Sequence, residues 1–151
     1  MKIVIKEIGE EGLTLNGCIS VEGYDLPLHE YEGWKQIAYS LHASIIGDEC
    51  LVTGVLSTNM KAACSRCLEM LPMHIEVKDF QHSYRITGEE SIDLTVEIRE
   101  DILLALPFTY RCELSEEGRC PITGVTYSGD KPEASLNQDV WKALDHWKKK
   151  E

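Results

Sequence analysis

"QIAYSLHASIIGDECLVTGVLST", residues 36–58, decides how this chain folds. Gln36 to Ile46 reads as one long strand, the dipeptide Gly47-Asp48 punctuates it, and the strand pattern resumes at Glu49. That arrangement predicts an antiparallel hairpin. Upstream, Lys2 to Ile8 and Leu13 to Val21 also read as strands, and "GYDLPLHEYEG", residues 23–33, reads as a loop entering the third strand because of its proline and glycines. Downstream, "MHIEVKDFQHSYRI", residues 73–86, favours an extended segment with Ile75 and Val77 on one face, and Thr87-Gly88 turns it. The first 95 residues are therefore strand-rich.

The period then changes. Over 96–106, "VEIREDILLAL" places Val96, Arg99, Leu103 and Leu106 on one stripe with Ile98, Ile102 and Ala105 beside it, which predicts a helix with a broad apolar face. Thr95 is placed to cap it, Glu97 suits its first turn and Pro107 stops it. A second helix is predicted over 135–149: Ser135 and Gln138 have capping-box spacing, and Leu136, Val140, Trp141, Leu144 and Trp147 follow at helical intervals. Lys148 to Lys150 complement its C-terminus. The expected class is α+β, an antiparallel, strongly twisted sheet or partial barrel with two helices packed on it. At 151 residues the whole of 1–151 is expected to form one domain.

Composition narrows the function. The hydrophobic fraction of 43% and charged fraction of 27% are those of a globular chain. A formal charge of -11 disfavours coating nucleic acid or anionic lipid by charge alone, so any RNA contact must be local or indirect. The opening "MKIVIKEIGEE" lacks the apolar core of a secretory signal and no apolar run approaches the length of a membrane span, which points to the cytoplasm and away from a membrane. The five histidines form no metal-binding or catalytic spacing, and neither a nucleophile elbow nor a phosphate-cradling glycine loop is present. The chain is read as non-enzymatic, with no small-molecule substrate.

The cysteines carry the chemistry. Between the two predicted helices, the irregular stretch 107–134 would be hard to hold without a cross-link. It contains Cys112 and Cys120, which with Cys64 and Cys67 give C-x2-C-x44-C-x7-C. Four soft thiolates are the count a tetrahedral structural Zn2+ needs. Reduced thiols without metal, and a redox-active Cys64/Cys67 pair, are the competing readings; the redox one is weakened because no clear helix follows "CSRC" to lower a thiol pKa. Cys18 and Cys50 fall in alternating strand segments and are read as small core residues. Lys61, Arg66, Arg111 and Arg119 stand beside the four candidate ligands, so closing the site would gather four cations. They are candidate nucleic-acid contacts, or simply the charge partners of an anionic zinc-thiolate centre.

"CSRCLEMLPMHIEV", then "IDLTVEIREDILLALP", then a segment of the "C...GRCP..G" kind and a final short helix together resemble the YceD family, the large ribosomal RNA subunit accumulation protein family, over roughly residues 37–147. The resemblance implies a non-enzymatic factor supporting accumulation of large-subunit (23S) rRNA. Many members of that family have further cysteines in the third block; here those places fall at Glu116 or Glu117 and at Thr123. The expectation is a ribosome-biogenesis factor acting through large-subunit rRNA or, given its acidity, through a basic partner such as a ribosomal protein. The alternatives are a zinc-stapled interaction module unrelated to rRNA and a thiol-redox protein using the C-x2-C pair.

Overall fold

A computed structural model describes residues 1–88 and 90–127. The chain divides into two compact units, Met1–Cys112 and Glu113–Glu151, each treated by itself below. The first unit has seven strands, β1 (Lys2–Val4), β2 (Leu13–Ser20), β3 (Tyr31–Glu32), β4 (Gln36–Ile46), β5 (Glu49–Ala63), β6 (Met70–Arg85) and β7 (Ser91–Asp93), and one helix among its described residues, α1 (Thr95–Ala105).

The hairpin at 36–58 is the centre of the main sheet. β4 and β5 pair antiparallel from Ile37 opposite Thr58 to Ile46 opposite Glu49, and Gly47, at a φ of 65°, lets the chain reverse between them. β2 adds to the far side of β4, from Leu13 opposite Ala43 to Ser20 opposite Gln36. β6 adds to the far side of β5 along nearly its whole length, and β3 continues beside β5 where β4 has ended. β1 and β7 form a separate two-stranded ribbon.

Alternation sorts the side chains. Cys50, Val52, Leu56, Thr58, Met60 and Ala62 of β5 are buried, with more exposed residues between them. On β6 the buried set changes parity, from Leu71, Met73 and Ile75 to Phe80. The cause is a register shift between Gly54 and Leu56, where β6 carries an extra residue at Lys78-Asp79. One extra residue moves every later side chain to the other face unless the strand bulges, and the bulge bends the sheet. α1 packs against β6, burying Ile98 and Ile102 one turn apart, while Val96 and Leu104 are exposed. Leu103, Ala105 and Leu106 of the predicted face pack half-buried against the same core, and Val96 is its exposed member.

The expectation of two helices packed on a sheet is overturned. Strand accounts for 49% of the structure and a single helix reaches seven residues among the described ones, so this is a sheet-dominated fold. Strands as long as β5 and β6, bent at a bulge, bury most of their apolar face against the sheet itself and α1, which joins one core cluster with Leu41, Leu56 and Phe80. The predicted helix over 135–149 lies outside the described residues. Two smaller expectations also change. Lys2 to Ile8 is not one strand, since β1 gives way to a 3-10 turn at Ile5–Glu7, and the 23–33 loop contains a 3-10 turn at Leu28–Glu30 as well as β3. No helix among the described residues is long and apolar enough to cross a membrane.

Candidate metal centre

Cys64 follows the last residue of β5, and the turn from Cys64 to Glu69 carries the chain into β6. Two hydrogen bonds close that turn: the Cys64 N–H donates to the Glu69 carbonyl and the Leu68 N–H to the Cys64 carbonyl, each at 2.9 Å. Leu68 sits at a φ of 62°, a left-handed conformation that a side chain adopts only at a cost, and the turn holds it there. The segment after α1 is tied to the same turn. Ser65 N–H donates to the Tyr110 carbonyl at 2.8 Å, and the Tyr110 hydroxyl donates to the Pro72 carbonyl.

These ties deliver Cys112. The sulfurs of Cys64, Cys67 and Cys112 all lie within 4.8 Å of one another, so three residues from the turn and the post-helix segment form a group able to hold a metal ion. A tetrahedral Zn2+ with ~2.3 Å bonds sets its sulfurs about 3.8 Å apart, so the three need close by no more than about 1 Å. Cys64 and Cys112 are buried and Cys67 is half-buried. All six cysteines are free thiols.

The Cys64 sulfur accepts three backbone N–H groups, from Cys112 at 3.2 Å, Arg66 at 3.4 Å and Cys67 at 3.5 Å. Donors aimed at a sulfur favour its anion. Burial pushes the Cys64 thiol up, but the N–H groups of Cys67, Cys112 and Arg66, with help from the Cys67 side chain, outweigh it and hold the thiol at about 6. Arg66 adds positive charge: one guanidinium N–H donates to the Cys112 carbonyl at 3.0 Å and lies 4.0 Å from the Cys112 sulfur. Several thiolates this close repel one another unless a cation or protons intervene, which is the condition a soft divalent ion satisfies.

A pH dependence follows. The folded Cys64 thiol titrates near 6, below its ordinary value of 9.0. Between those values the unfolded chain holds a proton that the folded one lacks, so stability of the metal-free protein rises with pH over that window and is lost as pH falls through about 6. Thermal melting in chelator at pH 6 and at pH 8.5 checks the sign. Cys64→Ser should flatten the slope, and an unchanged slope would assign it elsewhere.

The fourth cysteine of the sequence-derived set, Cys120, belongs to the second unit, where it is buried. Its loop repeats the hydrogen-bond ring of the first turn: Cys120 N–H donates to the Val125 carbonyl and Gly124 N–H to the Cys120 carbonyl, each at 2.9 Å. Gly124, at a φ of 71°, takes the place of Leu68, and Thr123 the place of Cys67. This shared ring was missed at the sequence level. Its signal is the pair C-x2-C-L and C-x2-T-G, each with a left-handed residue four places after the first cysteine.

The four basic residues are not equivalent. Lys61 lies on β5 and pairs with Glu32 of β3 at 3.2 Å. Arg66 turns toward Cys112 as described, Arg111 is exposed, and Arg119, in the second unit, stands 3.9 Å from Glu117. Cys50 is buried, and its burial raises the thiol, whereas Cys18 is exposed on β2 and is no core residue: its side of that strand faces away from the core. Compared with protein families, curated proteins and solved structures, the chain matches none.

Proposed function

We propose that Cys64, Cys67 and Cys112 hold a structural Zn2+, and that the protein serves, without catalysis of its own, as a cytoplasmic factor in accumulation of large-subunit rRNA. The observation that carries the metal reading is the convergence of three sulfurs within 4.8 Å. Sulfur-rich donor sets select Zn2+ over harder divalent ions, and a reducing compartment keeps such thiols available. The ion fastens the post-helix segment to the β5–β6 turn. Cys120, the fourth ligand expected from the sequence, is tested by zinc affinity of Cys120→Ser, which should be unchanged if the three clustered sulfurs suffice.

The rRNA reading rests on the sequence resemblance to the YceD family. With a net charge of -11, a basic ribosomal protein is the favoured direct partner, with rRNA reached through it or through Arg66 and Arg111. Protein purified without added metal should contain about one zinc per chain, and a pull-down from a cell extract should recover large-subunit proteins or rRNA. Recovery of neither would end the ribosomal reading, and zinc well under one equivalent would end the metal one. A thiol-redox role is the second reading, favoured by the lowered Cys64 thiol. Rapid iodoacetamide labelling of Cys64 at neutral pH supports it, and slow labelling supports bound metal.

A further inference from the structure

The two margins of the main sheet are built differently. β6 forms one of them, and it carries Pro72, which has no N–H to offer, along with Glu76, Lys78, Asp79 and Arg85. The Tyr110 hydroxyl also occupies the Pro72 carbonyl. Proline and charged side chains are the devices by which a sheet margin avoids pairing with another chain. On the opposite side, beyond the two-residue β3, the margin is β2, bonded to β4 on one side and to no described residue on the other. Its eight residues, "LTLNGCIS", include no charge and no proline. Leu13, Leu15 and Ile19 are half-buried along one face, with Thr14, Asn16, Cys18 and Ser20 exposed on the other.

Both ends of this bare margin are acidic. Glu10 and Glu11 precede β2 and Glu22 follows it; all three are exposed and none has an ion-pair partner among the described residues. That disfavours a second copy of the chain. Pairing β2 with itself about its middle would bring Glu22 of one copy to Glu11 of the other, and like charges opposed across strands are destabilising.

We infer that the open margin of β2 is a docking edge for an extended peptide segment of a partner protein, apolar at alternate positions and carrying Lys or Arg at both ends. The segment adds as an extra strand: its backbone pairs with the unpaired groups of β2, its apolar side chains cover Leu13, Leu15 and Ile19, and its basic ends meet Glu10, Glu11 and Glu22. The inference rests on, and sharpens, the proposed basic protein partner; it does not depend on the metal.

The test uses a labelled synthetic peptide, KRVTVTVRK, and its acidic counterpart, EEVTVTVEE, titrated against the full chain by fluorescence anisotropy. The basic peptide should bind, the acidic one should bind at least tenfold more weakly, and the basic affinity should fall between 50 and 500 mM salt. The E10K/E11K/E22K variant should lose at least tenfold in affinity for the basic peptide. Asn16→Lys, a charge placed on the exposed face of the margin, should do the same; both variants should keep the wild-type melting temperature. Absence of basic-peptide binding, equal binding of both peptides, or a free-protein dimer that Asn16→Lys disperses would overturn the inference, the last in favour of self-pairing. Recovery of ribosomal proteins in the pull-down alongside a failed peptide titration would remove this edge and leave the wider reading standing.

Discussion

Serine in place of Cys64 is expected to weaken zinc binding by more than about 100-fold, beyond what loss of a residue that merely supports a ligand does. Cys64 is central to the cluster because its sulfur lies within 4.8 Å of the Cys67 and Cys112 sulfurs and also accepts the Cys67, Cys112 and Arg66 N–H groups. The hydroxyl that replaces it is harder, smaller and protonated at neutral pH. Cys112→Ser should follow the same course, while Cys18→Ser, on the exposed side of β2, should leave zinc content unchanged. Stability should fall with the metal: an ion present at a thousandfold excess over its dissociation constant stabilises by about 4 kcal/mol, of which a variant binding 100-fold more weakly forfeits about 2.7 kcal/mol. Elemental analysis and urea unfolding with and without chelator measure both effects. A Cys64→Ser protein that retains a full equivalent of zinc, or a wild type indifferent to chelation, would refute the assignment.

Gly54→Ala is expected to be the most damaging single change in the sheet, at about 3–5 kcal/mol, the upper end of point substitutions. A methyl group at this position would lie 2.1 Å from the Ser40 carbonyl oxygen and 2.8 Å from the Leu41 Cα, both backbone atoms of the neighbouring strand. Neither can move without displacing β4 from the centre of the sheet. The glycine also marks the register shift, so relief by sliding would disturb the pairing that sends Phe80 inward. Gly9→Ala is the control, because nothing lies within 4 Å of the added carbon, and it should change stability by less than about 0.5 kcal/mol. Equal melting of the two variants would show that β4 and β5 are less closely held than described.

The residues differ in how openly they declare their roles. The hairpin of β4 and β5 was legible because Gly47-Asp48 interrupts two long strand patterns, and α1 was found within a residue at each end because Ile98 and Ile102 repeat one turn apart. Of the apolar face read there, Ile98 and Ile102 are buried and Leu103, Ala105 and Leu106 pack against the core, whereas Val96 fits the periodicity yet faces solvent, since the period specifies a stripe and only the neighbouring strand decides where it ends. The bulge left its mark at Lys78-Asp79, where alternation fails on β6, but a local lapse in pattern does not tell whether a strand bulges or ends. Cys18 was misplaced for a related reason. Alternation assigns it to one face of β2 without saying that this face has no cover. The meeting of Cys64 and Cys67 with Cys112 was suggested by ligand count alone; what brings them together is the Ser65 to Tyr110 bond, a backbone contact that no residue type announces.

The turn joining the two longest strands is also the loop that presents two of the sulfurs. Cys64 and Cys67 are three positions apart in the chain, so they are neighbours in the unfolded polymer as well as in the native one, whereas Cys112 is 45 positions beyond Cys67. The entropy of bringing the donors together therefore falls almost entirely on the last of them. Cys64 and Cys67 thus share one short loop at the tip of the hairpin, and it is the Ser65 to Tyr110 and Tyr110 to Pro72 hydrogen bonds, not nearness along the chain, that hold Cys112 beside them.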